Sequence, residues 1–302
     1  MTQYRGLSAA AVPPWGLAIV AMLSIQLGSA LSVQLVFQVG PAGFAWLRLT
    51  AGALILLTLA RPPLRTVRRR DIPVLVGLGV TTGLVTITFL AAIERIPLGT
   101  AVAVEFLGPL SVAAVRSHNK RALAWPALAL IGVVLLTEPW KGDINLAGLG
   151  FAGLAAIGWA GYILLTQRVG DRFAGIGGLS LTVPIAAATA AVAGIPQATG
   201  QLTLGIVAAA VGLALLHPVL PFAFEMFALR RMTHTAFGTL MAIEPAIGVL
   251  LGLLVLHQTP SIIQVVGILL VVLAGTAAQR GGRRRSEATE HTGADARLDL
   301  IG

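Results

Sequence analysis

The chain has 302 residues, of which 56% are hydrophobic and only 11% charged, with a formal net charge of +9. A soluble domain carries about 25% charged residues, so a soluble fold of this composition would expose large apolar patches and aggregate. Cysteine is absent, which excludes disulfides and thiolate metal sites; the basic residues fall in short stretches between apolar runs, not on an aromatic-interleaved face, which argues against nucleic acid as a partner.

Apolar runs follow one another along nearly the whole chain, and each is long enough to cross a bilayer. In chain order they predict ten helices over about 15–38, 41–60, 72–93, 97–115, 122–139, 147–166, 176–194, 203–228, 235–256 and 260–279. Pro41, Pro62, Pro63, Pro97, Pro196 and Pro260 fall at the breaks, where a missing N–H costs little. The fold class is therefore all-α, a polytopic membrane protein. A tail over 1–14 precedes the first span, which is too long for a cleaved signal core and has only Arg5 ahead of it. A polar tail over 280–302, rich in Gly, Arg, Glu and Thr, has the composition of a disordered segment.

Charge orients the spans. With the N-terminus in the cytoplasm, the cytoplasmic segments hold 18 of the 21 Lys and Arg residues, among them Arg61, Arg65, Arg68, Arg69, Arg70, Arg116, Lys120, Arg121, Arg168, Arg172, Arg230, Arg231 and the cluster Arg283-Arg284-Arg285. The opposite side holds Arg95 and Lys141 alone, and Arg48 lies within a span. Cytoplasmic loops carry the Lys/Arg excess, so both termini are expected in the cytoplasm of a cell with an inner, plasma membrane.

Two segments repeat one another. Arg95 precedes a stretch with Glu105 deep inside it and then Pro109; Arg231 precedes a stretch that ends in Glu244-Pro245, and the two prolines stand at the same distance from their arginines. Ten spans divide into two sets of five, over 15–139 and 147–279, and because five is odd the second set enters from the opposite side. This is the arrangement of two inverted five-helix repeats, in which secondary transporters bind near the midplane. Each proline removes a helix bond, freeing the carbonyl four residues earlier, at Glu105 and Met241. Glu105 and Met241 are then counterparts, and Glu244 corresponds to Gly108.

A charge at the bilayer centre costs at least ~2.5–3.5 kcal/mol on insertion scales, so intramembrane ionisable groups face a cavity or a partner. Glu105 and Glu244 are the candidate proton or ammonium sites. Glu225, after Pro218 and Pro221 on the eighth span, is a third candidate, with snorkelling to the interface as its alternative. Arg48 would pair with a glutamate or bind a substrate carboxylate, pairing being the commoner use. His217 would relay protons or rest neutral in a helix. Gln26 and Gln34 would line the pathway or bond across helices. Trp159-Ala160-Gly161-Tyr162 combines large aromatics with small neighbours, fit to wall an ammonium by cation–π attraction or simply to pack. Gly79-x-x-x-Gly83 and Gly248-x-x-x-Gly252 permit close helix contact, internal before intermolecular, which leaves a monomer or homodimer. There is no metal-ligand spacing, no nucleophile constellation and no phosphate loop with its Lys and Ser/Thr, so no cofactor is expected and transport would run on a gradient.

Three stretches bear a family resemblance: Ile96-Pro97-Leu98-Gly99-Thr100 through Glu105-Phe106-Leu107-Gly108-Pro109; Leu220-Pro221-Phe222-Ala223-Phe224-Glu225; and Phe237-Gly238-Thr239 through Ile243-Glu244-Pro245-Ala246. They resemble the threonine/homoserine exporter group, in the EamA branch of the drug/metabolite transporter superfamily, over about 15–279. The resemblance implies an inner-membrane exporter of small amino acids by proton antiport, with protons, substrate and the lipid bilayer as partners. It implies a central cavity lined by the first, third, fourth, sixth, eighth and ninth spans, which favours Gln34, Glu105, Trp159, Tyr162, Glu225 and Glu244, and leaves Arg48, Pro109 and Pro245 to charge pairing and structure. A broad-specificity drug or metabolite exporter is the nearest alternative. A membrane-embedded enzyme would need a convergent acid/base or nucleophile set, and a non-transporting scaffold would tolerate loss of the deep glutamates.

Overall fold

Backbone polar groups inside a bilayer have no water to bond, so each apolar run must satisfy its own N–H and C=O groups as helix. The computed structural model describes residues 13–60, 67–116, 123–142, 144–170, 177–229, 231 and 234–278. Among them every regular element is helical and there are no strands. In chain order these are α1 (Pro14–Val39), α2 (Pro41–Ala60), α3 (Ile72–Ile93), α4 (Leu98–Arg116), α5 (Ala124–Thr137), α6 (Leu146–Gly170), α7 (Gly177–Ala198), α8 (Leu204–Ala214), α9 (Leu220–Leu229), α10 (His234–Met241), α11 (Glu244–Leu256) and α12 (Ile262–Ala278). Residues 1–12 of the N-terminal tail, the whole tail over 280–302, Pro62-Pro63, and the basic residues Arg5, Arg61, Arg65, Lys120, Arg121, Arg172, Arg230, Arg280, Arg283, Arg284, Arg285 and Arg297 lie outside the described residues.

Seven helical segments among the described residues are long and apolar enough to cross a membrane. Their outward faces are apolar: Phe37, Leu54, Ile157, Val192 and Leu254 are all exposed, whereas Gln26, Arg48, Glu105 and Glu244 are buried. That inversion suits a lipid surround, since a soluble protein would keep the charges outside and the large apolar side chains in.

Three expected elements differ in detail. Pro196, expected in a break after the seventh span, sits inside α7. The helix runs past it because the Thr199 amide and hydroxyl both donate to the Ile195 carbonyl, at 3.1 and 2.7 Å, resuming the ladder beyond the proline. The eighth span is not one helix. A π-helical turn over Leu215–Val219 interrupts it, with His217 in extended backbone (φ −161°, ψ 112°). Ser24 of α1 covers this break, its hydroxyl donating to the Leu216 carbonyl at 2.8 Å. The ninth span, expected as a kinked helix, is interrupted by a two-residue turn at Ala242 and Ile243, where Ile243 keeps helical backbone (φ −83°, ψ −13°), and Pro245 follows in the first turn of α11, where proline is tolerated. By contrast, Pro109 stays inside an unbroken α4.

Small residues set the crossings. The Gly79/Gly83 stripe of α3 lies on α7, and a Cβ at Gly79 would stand 2.5 Å from the Ile185 Cβ. The Gly248/Gly252 stripe of α11 faces Val102 and Leu98 of α4. Both stripes are therefore internal, as close small-residue contacts in a bundle are. Gly132 of α5 and Gly267 of α12 each face the other's carbonyl, at 2.6 and 2.7 Å from where a Cβ would sit. Elsewhere α2 packs on α7, α3 on α6 and α7, α4 on α6 and α11, α9 and α11 on α1, and α8 on α2.

Orphan amides at helix starts are capped from across the bundle. The Gln197 side-chain oxygen accepts from the Ala42 and Gly43 amides of α2 at 2.8 and 3.0 Å. That of Gln258 accepts from the Leu98 amide of α4 at 3.0 Å.

Candidate functional site

At the centre of these crossings lies a cavity of about 290 Å³, to which α1, α2, α3, α4, α6, α7, the π-helical turn, α9, α10 and α11 all contribute. Glu105 of α4, Glu225 of α9 and Glu244 of α11 all face it. The two helix breaks bear on this directly: the π-helical turn brings His217 and Pro218 to the wall, and the turn at Ala242–Ile243 puts Glu244 at the head of a new helix. A carboxylate in the first turn of a helix is favoured by the positive end of the helix dipole.

Trp159 and Tyr162 of α6 form part of the wall, one helical turn apart. The Thr82 hydroxyl of α3 donates to the Leu78 carbonyl at 2.7 Å, and the Thr86 hydroxyl to the Thr82 carbonyl at 2.8 Å. Both hydroxyls thus spend their proton on their own helix and keep lone pairs to offer. Both threonines line the cavity. They stand at i, i+4, on one face of α3, while Thr81 and Thr88 of the same helix lie outside the lining.

Of the residues expected at the site, the structure brings Glu105, Glu225, Glu244, Trp159 and Tyr162 to this one cavity. Gln34 is not among them: it is exposed, outside the lining. Gln26, eight residues earlier and about 80° away around α1, occupies the cavity side and is buried. Its amide nitrogen donates to Glu244 Oε1 at 3.1 Å. Pro109 and Pro245 lie outside the lining.

Arg48 departs from expectation twice. It lines the cavity although α2 was not expected to, and it forms no ion pair with a glutamate among the described residues. Its guanidinium lies 5.9 Å from the centroid of the fully buried Phe44 ring, and Nη1 has no hydrogen-bond partner. Gln26 Oε1, His217 Nδ1 and Glu244 Oε2 are likewise buried without partners.

A second depression of about 210 Å³ is bordered by Arg95, Glu138, Lys141, Asn145 and Gln264. Its charges satisfy one another. Lys141 Nζ donates to Glu138 Oε2 at 2.8 Å and the Ser261 hydroxyl donates to Glu138 Oε1 at 3.0 Å, while Arg95 pairs with Glu94 and lies 5.1 Å from the Phe151 ring centroid. This is a clasp between helix ends, in contrast to the unsatisfied groups of the central cavity.

Comparison with known proteins bears on the same region. Residues 146–276 match the EamA-like transporter family. The chain is 34% identical over 282 residues to the threonine/homoserine exporter RhtA of Escherichia coli (strain K12), covering 90% of this chain and 93% of that protein. It is 33% identical over 282 residues to the threonine/homoserine exporter RhtA of Salmonella typhimurium (strain SL1344), covering 89% and 92%. A protein known from its crystal structure shares the fold with a TM-score of 0.59 at 19% identity, over 89% of this chain and 98% of that one.

Proposed function

The chain belongs to the threonine/homoserine exporter group of the EamA-like transporters, and from that premise we propose that it exports small zwitterionic amino acids of the threonine and homoserine type across the bacterial inner membrane in exchange for protons. The observation that carries this reading is the convergence of Glu105, Glu225 and Glu244 on one cavity bounded by helices from both halves of the chain. A carboxylate that takes up and releases a proton, and that also binds an ammonium, links the two movements by letting one cation replace the other. Glu105 and Glu244 are the exchange sites in this reading, and Trp159 and Tyr162 shape the pocket and face the ammonium.

The cavity's size favours small substrates over drugs. At about 290 Å³ it sits at the lower bound of the ~300–1,000 Å³ typical for drug-sized ligands.

The halves over 15–139 and 147–279 are read as inverted repeats of five spans each, with α8–α9 and α10–α11 each counted as one interrupted span. The pairing of helices supports this. Numbered by span, 3 packs on 6 as 8 packs on 1, 4 on 6 as 9 on 1, and 3 on 7 as 8 on 2, while 2·7, 4·9 and 5·10 pair with one another. A two-fold exchange of the halves maps these pairs onto one another, while among the described residues the packing of span 2 on spans 1 and 3 has no comparable counterpart of span 7 on spans 6 and 8. The family match over 146–276 coincides with the second half. With ten spans, the Lys/Arg excess puts both termini in the cytoplasm.

The test is counterflow in proteoliposomes with a panel of labelled amino acids, with and without a pH gradient. Threonine and homoserine are expected to exchange, faster with a gradient. If no amino acid exchanges in either condition, the reading fails; if bulky cationic drugs exchange instead, the broad-specificity alternative replaces it.

A further inference from the structure

A guanidinium in the middle of a membrane protein is costly unless it is paired, and buried polar groups without partners are uncommon enough to require an explanation. Arg48 is 3% exposed, yet among the described residues it forms neither a hydrogen bond nor an ion pair. Phe44, on the preceding turn of α2 and fully buried, stands beside the guanidinium and limits where it can swing. The carboxylates of the same cavity do not close on it. Glu244 instead takes one bond from Gln26 and leaves Oε2 unpartnered.

The cavity therefore holds a cationic donor and an anionic acceptor that face the same space without touching. Neither local pairing nor packing accounts for that, but a ligand with one charge of each sign would satisfy both. Arg is also the side chain whose planar fork matches a carboxylate with two parallel hydrogen bonds. We propose that Arg48 binds the α-carboxylate of the transported amino acid, while its ammonium lies towards Glu244, so that Arg48 is the residue that selects zwitterions over simple amines. The assignment rests on the amino-acid export reading above and adds to it the anion pole of the site. It also gives a positive pole to a cavity whose carboxyl groups are Glu105, Glu225 and Glu244.

The experiment is equilibrium binding of labelled L-threonine to the purified full-length protein in lipid nanodiscs. Competitors are L-homoserine and 1-aminopropan-2-ol, the amine that remains when threonine loses its carboxylate. Wild type is expected to bind threonine well above the amine. Arg48→Gln should weaken threonine by about 30-fold or more, the scale of a buried charge pair cut on one side, and leave the amine within about twofold. Arg48→Lys, which keeps the charge without the fork, should weaken threonine severalfold and also spare the amine; it carries the test if the Gln variant is not recovered folded. Equal loss of threonine and amine would make Arg48 structural and overturn the assignment, as would threonine binding in Arg48→Gln within twofold of wild type. If wild type binds no amino acid, the export reading itself falls and this assignment with it.

Discussion

The fourth span and the ninth begin from the same sequence plan and end as different structures. Each has an arginine ahead of it and a proline at the same remove, yet α4 runs unbroken through Pro109 while the ninth span breaks at Ala242 and Ile243 before Pro245. The residue before each proline gives the reason. Gly108 packs α4 so closely on α6 that a Cβ there would collide with the Ala156 carbonyl oxygen, so that helix continues along its neighbour. Glu244, at the matching position, heads a new helix and turns its carboxylate to the cavity. One copy has become a packing element and carries its carboxylate a turn earlier, at Glu105. The other is interrupted at Ala242 and Ile243 and carries its carboxylate at the head of the segment that follows. Glu105 and Met241, which stand at the same distance before the two prolines, both line the cavity.

The comparison breaks most visibly at Gly108. Gly108→Ala should lose most of the monodisperse protein recovered in detergent, since forced overpacking costs about 1–3 kcal/mol and more where the obstacle is backbone. Glu244→Ala should be recovered as well as wild type. Recovery of both in equal yield would dissolve the distinction between packing copy and charge copy.

Next come the carboxylates. Glu105→Gln and Glu244→Gln should each remove the acceleration of threonine counterflow by a pH gradient, a loss of about tenfold or more if each is required for exchange. Unchanged flux in both would take them out of the mechanism.

The prolines sharpen the contrast through stability alone. Pro109→Ala restores a helix bond inside α4, where proline costs up to about 3 kcal/mol, and should raise the thermal midpoint. Pro245→Ala, in a first turn that tolerates proline, should barely move it. A larger rise at 245 would mean that the break depends on the proline and not on Glu244.

The smallest effect is expected at Gln26. Gln26→Ala removes a hydrogen bond to a carboxylate worth about 1.5–3 kcal/mol that water in the cavity can partly replace. Threonine counterflow should slow by severalfold without loss of protein, and an unchanged rate would show that the Gln26 contact does not position Glu244.

The long apolar helices and the buried carboxylates were legible because they rest on strong local signals, namely long apolar runs and charges that such runs do not tolerate. The breaks were not. Pro196 and Pro245 are the same residue in similar apolar sequence, and only the Thr199 bonds in one case and the turn before Glu244 in the other separate a continued helix from a broken one. Gln34 was chosen over Gln26 on resemblance, while the deciding quantity was which face of α1 meets the bundle, a matter of packing with almost no periodic signal in a helix apolar all round. For Arg48 the sequence leaves pairing and substrate binding both open, with pairing the commoner use. Its isolation depends on where Glu244 spends its bonds, which sequence does not encode.

The most direct measurement is proton movement itself. Proteoliposomes loaded with a pH-sensitive dye and given a threonine gradient, with no imposed pH difference, should change lumenal pH as threonine moves in wild type and leave it constant in Glu244→Gln. Threonine flux in wild type with no change in lumenal pH would contradict exchange at these carboxylates.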